Sequence, residues 1–304
     1  MHLIGAGAPS GYSSAGRHRS PCRRVPSFND LLAALLLGII EGITEFLPIS
    51  STGHLLIAEQ WLGHRSDLFN ISIQAGAILA VVLIYRERLV QLAHAFLRPG
   101  KATVGDVHGQ PPRDYAWKLL VSFGVTAILG LLVKALGWEL PSDIEPIAWA
   151  LIIGGFWMVA AEQLAARRAA TLGERSTISW TTAILVGIAQ VVAGVFPGTS
   201  RSASTIFVAL LAGTTNRAAA TEFAFLVGIP TMFAATFYEL VDVVQAGQAE
   251  HEDWGLLAVA FTASAVTAFV AVKWLLRYIQ SHRFTAFAVY RVILGAALLW
   301  WLWR

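Results

Sequence analysis

The sequence predicts an all-α polytopic membrane protein with an inverted repeat, in which each half is a re-entrant helical hairpin followed by three transmembrane helices. Three observations predict this fold: an apolar composition, two apolar stretches that are each interrupted by a proline, and basic residues clustered in alternate connections. Of the 304 residues, 56% are hydrophobic and only 13% are charged, whereas a soluble domain carries about a quarter charged residues.

Six segments have the length and composition of membrane-crossing helices, which need about 20 mostly apolar residues. They cover residues 69–85, 115–134, 147–165, 221–241, 254–276 and 286–303. The single cysteine, Cys22, excludes a disulfide framework and a cysteine metal cluster. A formal net charge of +3 is too small to indicate nucleic-acid binding, so we expect the lipid bilayer, and no nucleic acid, as a partner.

Two further apolar stretches, 30–47 and 180–196, each run into a proline and then a turn rich in serine and threonine. Each turn is followed by a piece that is too short to span, near 54–62 and near 203–212. A broken helix at membrane depth is tolerated only where it is buried in protein or lines a wet cavity. We therefore expect two re-entrant hairpins whose turns lie inside the protein.

The two interrupted stretches resemble each other. "LLLGIIEGITEFLPISSTGH" aligns with "AILVGIAQVVAGVFPGTSRS" at an offset of 149 residues, which pairs Gly38 with Gly187 and Ser51 with Ser200. Paired interruptions in two halves of a membrane protein point to a binding site near the membrane midplane. The predicted division is a basic flexible tail at 1–28 and one membrane domain at 29–303, with repeats at about 29–166 and 178–303.

Basic residues cluster in the connections at 86–118, 162–176 and 273–283. Because cytoplasmic loops carry the excess of Lys and Arg, we expect these three connections in the cytoplasm. Segment 69–85 then runs inward and 221–241 runs outward, which inverts the two repeats. This topology leaves the basic tail outside, against the charge rule; if the long arm of the first hairpin truly spans the membrane, the tail lies inside instead.

Two acidic residues, Glu41 and Glu45, lie four residues apart and therefore on one face of a helix. Bare carboxylates are costly in hydrocarbon, so we expect both to face a polar cavity. Such a pair can hold a divalent cation such as Mg²⁺, which keeps waters and phosphate oxygens as its other ligands. The alternative is an interfacial acid pair exposed to water.

The first turn continues with Ser50, Ser51, Thr52 and His54. The hydroxyls can cap the next short helix, whose free N–H groups favour an anion, or they can act as plain caps. His54 can serve as a base, a nucleophile or a proton donor, or it can be structural. These residues are candidates for phosphate binding and catalysis.

The second turn, "FPGTSRSAST", places an arginine among hydroxyls at a helix start. The planar guanidinium matches phosphate oxygens, whereas an arginine that snorkels to a headgroup is less favoured in a deeply buried turn. The candidate phosphate-binding residues here are Gly198, Ser200, Arg201, Ser202 and Thr205. Since one turn is acidic and the other cationic, we expect them to meet in one site for a phosphate-bearing substrate whose apolar part lies in the bilayer.

Three other polar residues lie within predicted spans. Gln74 and Glu222 follow the two hairpins and either line the cavity or serve helix packing. Arg291 lies near the cytoplasmic end of the last span, where snorkelling to the interface is the default expectation.

"EGITEFLPISSTGH" followed by "PGTSRSAST" resembles the bacterial undecaprenyl-diphosphate phosphatase family, also known as bacitracin-resistance proteins, and the resemblance covers roughly 29–303. It implies hydrolysis of undecaprenyl diphosphate to undecaprenyl phosphate and inorganic phosphate, which recycles the lipid carrier of cell-wall synthesis and confers bacitracin resistance. It also implies a divalent cation, Mg²⁺ or Ca²⁺, and a site open to the outer side of the bacterial cytoplasmic (inner) membrane. The family's motifs fall on Glu41, Glu45, residues 50–54 and residues 197–202.

The resulting hypothesis assigns catalysis to Glu41, Glu45, Ser51, His54 and Arg201. The two acids hold the cation, or Glu45 instead orients His54. The nucleophile is Ser51 with His54 as base, or a water activated by His54, and the sequence leaves this choice open.

The sequence also leaves open a homodimer and any lipid flipping that accompanies hydrolysis. A transporter or flippase of a phosphorylated lipid or anion is the alternative function, since broken helices in inverted repeats are a transporter design. The acid pair with a histidine favours the enzyme, because anion transport does not require it.

Overall fold

The computed structural model describes residues 27–97, 106–137, 143–247 and 252–304. Within these ranges the chain forms eleven helices and one isolated β-bridge, between Val107 and Gln110. The predicted basic tail lies outside the described residues except for its last two positions, where Ser27 caps the first helix and Phe28 begins it. The all-α prediction is confirmed.

The first half of the chain contains six of these helices. They are α1 (Phe28–Thr44), α2 (Ser51–Leu62), α3 (Asp67–Ile84), α4 (Arg86–Leu97), α5 (Pro112–Ala135) and α6 (Ile144–Leu172). The second half contains the other five. They are α7 (Trp180–Val195), α8 (Arg201–Ala212), α9 (Arg217–Gln245), α10 (Trp254–Ser281) and α11 (Thr285–Leu302).

Six of the described helices are long and apolar enough to cross a membrane: α3, α5, α6, α9, α10 and α11. They are the six spans expected from the sequence, and the protein is therefore a multi-pass membrane protein. The helix α4 was not expected, because its sequence "RERLVQLAHAFL" is too short and too charged to span and lies in a connection interpreted as a loop.

The two hairpin arms are shorter than the spans. With 17 residues in α1 and 16 in α7, each arm is about 24–26 Å long at 1.5 Å per residue, less than the roughly 30 Å of a hydrocarbon core. In α1, Ser27 and Asp30 form a capping box, which satisfies the first free N–H groups of the helix. Each arm then ends at a turn that leads into a short helix, α2 or α8.

Helices of each half pack against helices of the other half in a matching pattern. The arm α1 packs along α10, and the corresponding arm α7 packs along α5; likewise α3 packs on α10 and α9 packs on α5. The other large contacts between the two halves join corresponding helices, α3 with α9 and α6 with α11. This reciprocal pattern is what two related halves produce, while their inverted orientation in the membrane stays a prediction.

Glycines allow these arms to lie against their partners. A Cβ added to Gly38 in α1 would come within 3.0 Å of the Ala260 carbonyl group of α10. A Cβ added to Gly187 in α7 would come within 3.0 Å of the Ser122 carbonyl oxygen of α5. Small residues at helix contacts are how membrane helices approach closely when lipid is as apolar as the side chains.

Aromatic side chains anchor both hairpin ends to the spans. The ring of Phe46, just after α1, packs edge-on against Phe225 of α9 with centroids 5.0 Å apart. The ring of Phe207 in α8 packs against Phe284 at 5.3 Å and Trp157 at 5.6 Å. These contacts place the two turns deep in the protein, between the two halves.

Candidate active site

The two hairpin turns use the same backbone geometry. Ser50 has φ 74° and Ser200 has φ 71°, an uncommon conformation for a residue other than glycine. Each serine caps the short helix that follows: Ser50 Oγ accepts from the Gly53 N–H, and Ser200 Oγ accepts from the Ala203 N–H. Backbone of this kind costs about 1–3 kcal/mol and persists only where the surroundings enforce it.

The two capping serines show that the ungapped sequence alignment is displaced by one residue in the turn. Ser50, not Ser51, corresponds to Ser200, because the second turn has one more residue between its proline and its capping serine. Ser51 therefore corresponds to Arg201, and each is the first residue of its short helix. An ungapped alignment cannot show a one-residue insertion inside a turn.

The two turns meet at Glu45. The Arg201 guanidinium of the second hairpin forms an ion pair with Glu45 Oε1, and Ser51 Oγ donates to Glu45 Oε2 at 2.5 Å. The Glu45 side chain is almost fully buried, whereas the Arg201 side chain is 24% exposed. The expectation that the acidic and cationic turns touch is confirmed.

Glu41 lies one helical turn before Glu45 and is fully buried. Within the described part of the chain, neither of its carboxylate oxygens has a hydrogen-bond partner. It interacts electrostatically with Arg201. Burying an unpaired carboxylate is costly, so these two oxygens are available to a positive ligand at the site.

The donor set fits a divalent cation only in part. Glu41 offers two free oxygens, but both Glu45 oxygens already contact protein groups. Among the described residues, no three His, Cys, Asp or Glu side chains are grouped to hold a metal ion. A cation at Glu41 would therefore take most of its ligands from water and phosphate oxygens, as Mg²⁺ commonly does.

His54 faces away from the hydroxyl that it was expected to activate. Its Nδ1 lies 2.7 Å from the Ser50 carbonyl oxygen, and its Nε2 lies 2.7 Å from Tyr290 Oη. A carbonyl only accepts, so Nδ1 carries a proton, and in the neutral ring Nε2 accepts from Tyr290. The hypothesis that Glu45 orients His54 is wrong, because Glu45 contacts Ser51 and Arg201 instead.

Arg291 does not snorkel to the interface, and this expectation is wrong. Its side chain is fully buried and crosses to the two turns of the site. The guanidinium donates to the carbonyl oxygens of Pro48, Ala150, Leu151, Gly198 and Thr199. A Cβ at Gly154 of α6 would collide with this guanidinium. The Gly154–Gly155 doublet is therefore the sequence feature that could have indicated a close approach of the last span to α6.

The other candidate residues of the second turn contact backbone carbonyl groups. Gly198 has φ +93°, and a Cβ there would come within 3.0 Å of the Ile147 carbonyl oxygen. Ser202 Oγ donates to the Leu47 carbonyl at 3.0 Å, which ties α8 to the first turn. Thr205 Oγ1 donates to the Arg201 carbonyl at 2.8 Å. The Ser202 and Thr205 hydroxyl protons are thus not free for a phosphate oxygen, contrary to expectation.

Three weaker candidates have different surroundings. Thr52 is exposed on α2, and Gln74 is partly buried on α3, so their predicted roles stay predictions. Glu222 accepts from Arg88 Nε at 2.8 Å and lies 3.2 Å from His108 Nε2. It is therefore paired with residues of the α3–α5 connection, which favours the alternative that it serves helix packing, while a place along the cavity stays a prediction.

The fold and the site define a class: a multi-pass helical membrane protein whose buried polar site is assembled from two interrupted hairpins. Within this class, the chain belongs to the bacitracin resistance protein BacA family, whose family model matches residues 34–297. This confirms the resemblance carried by the two turn motifs.

Curated relatives match almost the whole membrane domain. A protein of Rhizobium etli (strain CIAT 652) named undecaprenyl-diphosphatase is 64% identical over 270 residues, which is 89% of this chain and 96% of that protein. A protein of Xanthomonas oryzae pv. oryzae (strain PXO99A) with the same name is 59% identical over 274 residues, which is 90% of this chain and 98% of that protein.

Proposed function

We propose that this protein is an integral membrane phosphatase that hydrolyses undecaprenyl diphosphate to undecaprenyl phosphate and inorganic phosphate. The observation that supports it most directly is the convergence of Ser51 and Arg201, one from each hairpin, on the carboxylate of Glu45. Membership of the BacA family and the names of the relatives indicate the substrate.

The chemistry follows from these three side chains. Ser51 Oγ attacks the terminal phosphorus while Glu45 Oε2 takes its proton, and the bond to the bridging oxygen breaks so that undecaprenyl phosphate leaves. Glu45 passes that proton to the departing phosphate and becomes a carboxylate again. It then takes a proton from the water that attacks the phosphoserine, the P–O bond to Ser51 breaks, and Ser51 Oγ recovers the proton from Glu45 as inorganic phosphate leaves. Phosphoryl transfer depends on positioning and charge neutralisation, which Arg201 supplies to the phosphate oxygens.

Glu41 is the residue that would hold a divalent cation, Mg²⁺ or Ca²⁺, because both of its oxygens lack a partner among the described residues. When bound, the cation neutralises charge on the diphosphate. The Glu45 carboxylate contributes to the same negative surface while keeping its contacts to Ser51 and Arg201.

The proposal includes a setting in the cell. The protein lies in the bacterial cytoplasmic (inner) membrane with the site facing the outer side, where it recycles the lipid carrier of cell-wall synthesis and thereby confers bacitracin resistance. A homodimer remains a prediction, and light scattering of the purified protein would measure the oligomeric state directly.

Phosphate release from undecaprenyl diphosphate by the purified protein, with and without a chelator, tests the function. We expect the wild type to release phosphate in a chelator-sensitive way, and Arg201→Ala and Glu45→Gln to lose at least about 100-fold in rate, the scale of a general base. Glu59→Gln is the matched control, since Glu59 is a buried carboxylate that binds Asn70 instead. Near-normal turnover by Glu45→Gln or Arg201→Ala would refute the assignment, and a wild type that moves the lipid without releasing phosphate would favour the transporter.

Rapid quench of the enzyme with substrate labelled in its terminal phosphate tests the nucleophile. We expect a phosphoserine at Ser51 that forms and decays at rates compatible with turnover. Full-rate phosphate formation with no trapped phosphoenzyme would instead make water the nucleophile.

A further inference from the structure

A second cavity lies at the ends of four helices, away from the two hairpin turns. Its volume is about 530 Å³. The C-terminal parts of α6 and α10, the end of α8 and the beginning of α9 bound it. The described residues that line it are all different from Glu45, Ser51 and Arg201, so the cavity is separate from the proposed reaction centre.

The cavity lies at the depth of lipid headgroups. Arg217 is the first residue of α9, and Ile279 and Gln280 are among the last three of α10. These helices have 29 and 28 residues, which is about 42–44 Å at 1.5 Å per residue and matches a bilayer with its headgroup regions. Glu174, Ala218 and Gln280 are exposed, so the cavity opens to its surroundings at this depth.

The polar side of the cavity repeats the contacts of the proposed active site. Glu162 of α6 is buried, its Oε2 accepts from the Thr285 hydroxyl at 3.0 Å, and Arg217 Nη2 lies 3.6 Å from its Oε1. Glu45 likewise meets a hydroxyl on one oxygen and an arginine on the other. At both places the hydroxyl and the arginine each belong to the first residue of a helix. The second grouping therefore presents a cation as the first one does.

Arg217 is the group in the cavity that can bind a phosphate. Its contacts within the protein are long, 3.6 Å to Glu162 and 3.4 Å to the His282 carbonyl oxygen, whereas charge-assisted hydrogen bonds are about 2.7–2.9 Å. Its side chain is 31% exposed, so donors of the guanidinium are available to a ligand. Because the Thr285 hydroxyl is not among the described groups that line the cavity, the site is suited to bind a phosphate and not to transfer it.

The cavity also presents negative charge. Glu174 lines it, and since its Oε1 accepts from the Asn216 side-chain amide, its Oε2 is left for a ligand. Together with Glu162, the lining has two carboxylates and one guanidinium, so a ligand that carries a positive group beside its phosphate is the complementary one. The rest of the wall is mainly apolar and consists of Ala165, Ala166, Ala169, Leu210, Ala218 and Ile279.

We propose that this cavity binds the headgroup of a zwitterionic aminophospholipid, with the phosphate at Arg217 and the ammonium group at Glu174. The apolar wall contacts the glycerol and the first carbons of an acyl chain. The inference does not depend on the proposed hydrolysis, because the lining of the cavity shares no described residue with that centre. The bound lipid joins the beginning of α9 to the ends of α6 and α10.

Native mass spectrometry of the purified protein with added phosphatidylethanolamine measures this binding without requiring turnover. We expect a 1:1 complex that Arg217→Gln weakens at least about tenfold, the scale of a hydrogen bond to a charged group. Glu174→Gln is expected to weaken it about threefold, the scale of an exposed ion pair, and to leave the affinity for phosphatidylglycerol, which lacks an ammonium group, unchanged.

Arg283→Gln is the control for Arg217→Gln, since Arg283 is exposed and lies outside the cavity lining. Equal effects of these two arginine variants would refute the proposal. It would also be refuted if Glu174→Gln changed the affinities for both lipids equally, because the carboxylate would then not recognise the ammonium group.

A filled cavity provides a test that leaves the charged groups in place. Ala169 lines the cavity, whereas its neighbour Ala170 is exposed and lies outside the lining. We expect Ala169→Trp to weaken the phosphatidylethanolamine complex at least about tenfold by occupying its space, and Ala170→Trp to bind as the wild type does. Phosphatidylethanolamine should raise the thermal midpoint of the wild type and of Ala170→Trp only, since a ligand stabilises the state that binds it. Equal binding by the two tryptophan variants, or a wild type that forms no complex, would contradict the proposal.

Discussion

Arg291 connects the two turns of the site from a helix that belongs to neither hairpin. Its guanidinium binds carbonyl groups of Pro48 in the first turn and of Gly198 and Thr199 in the second. These carbonyls lie within two residues of Ser50 and Ser200, whose positive φ angles are strained. A buried arginine with five acceptors can therefore offset this strain and keep Ser51 and Arg201 at Glu45.

Arg291→Lys tests this role. A lysine ammonium has three donors and no planar fork, so at least two of the five carbonyls lose their partner, at about 1–3 kcal/mol for each buried group left unsatisfied. We expect a lower thermal midpoint in detergent and a loss of phosphatase activity. Arg277→Lys, on the partly exposed end of α10, is the control, and an unchanged midpoint in Arg291→Lys would contradict the positioning role.

His54 provides a second prediction at the residue scale. Because its ring nitrogens contact Ser50 and Tyr290 instead of Ser51, His54→Ala is expected to retain more than about a tenth of the wild-type kcat. Ser51→Ala is expected to lose at least about 100-fold, since it removes the proposed nucleophile and its hydrogen bond to Glu45. Steady-state assays compare the two variants, and equal losses would show that His54 turns towards Ser51 when substrate binds.

At the scale of helices, the hairpin arms are positioned by their closeness to spans of the other half. Gly38 lets α1 approach α10, and Gly187 lets α7 approach α5. The arms are too short to cross the bilayer, so their depth is decided by these contacts and by the aromatic contacts of Phe46 and Phe207. The depth of the arms then determines where the two turns meet.

Gly187→Ala and Gly194→Ala form a matched pair within α7. A Cβ at Gly187 would come within 3.0 Å of the Ser122 carbonyl oxygen and Val125 Cβ, whereas a Cβ at Gly194 meets no atom within 4 Å. We expect Gly187→Ala to destabilise the protein by about 1–3 kcal/mol, the usual cost of overpacking. Gly194→Ala is expected to be neutral or slightly stabilising, because alanine favours helix. Thermal unfolding in detergent measures both, and equal midpoints would contradict close packing of α7 on α5.

At the scale of the whole molecule, the packing of the two halves does not show which ends of the spans face outward. Cysteine labelling can determine this orientation. In a Cys22→Ser background, we expect Ala246→Cys to react with an impermeant reagent from outside and Ser281→Cys to react only after permeabilisation. Both positions are exposed at helix ends. The opposite pattern would reverse the orientation, and equal outside labelling of both would contradict the expected path of α10. Labelling of Cys22 in the native chain tests the side of the tail, which the re-entrant topology predicts to be outside.

The sequence was informative wherever structure depends on a short stretch of chain. Length and apolar content identify a span, and a proline followed by hydroxyls identifies an interrupted helix. The six spans, both hairpins and the acidic and arginine motifs were therefore predicted. The helix α4 was missed for the same reason, because the local composition of a short charged segment fits a loop as well as a helix.

By itself, the sequence determined an all-helical membrane protein with two interrupted hairpins that carry the polar residues of one site. Only the tertiary structure decided that Glu45 pairs with Ser51 and not with His54, that Arg291 is buried across both turns, and that Glu222 belongs to another cluster. Hydropathy and turn chemistry are local properties that residue order records directly. The partner of a buried polar group depends on how distant helices approach and rotate, and no short stretch of sequence encodes that.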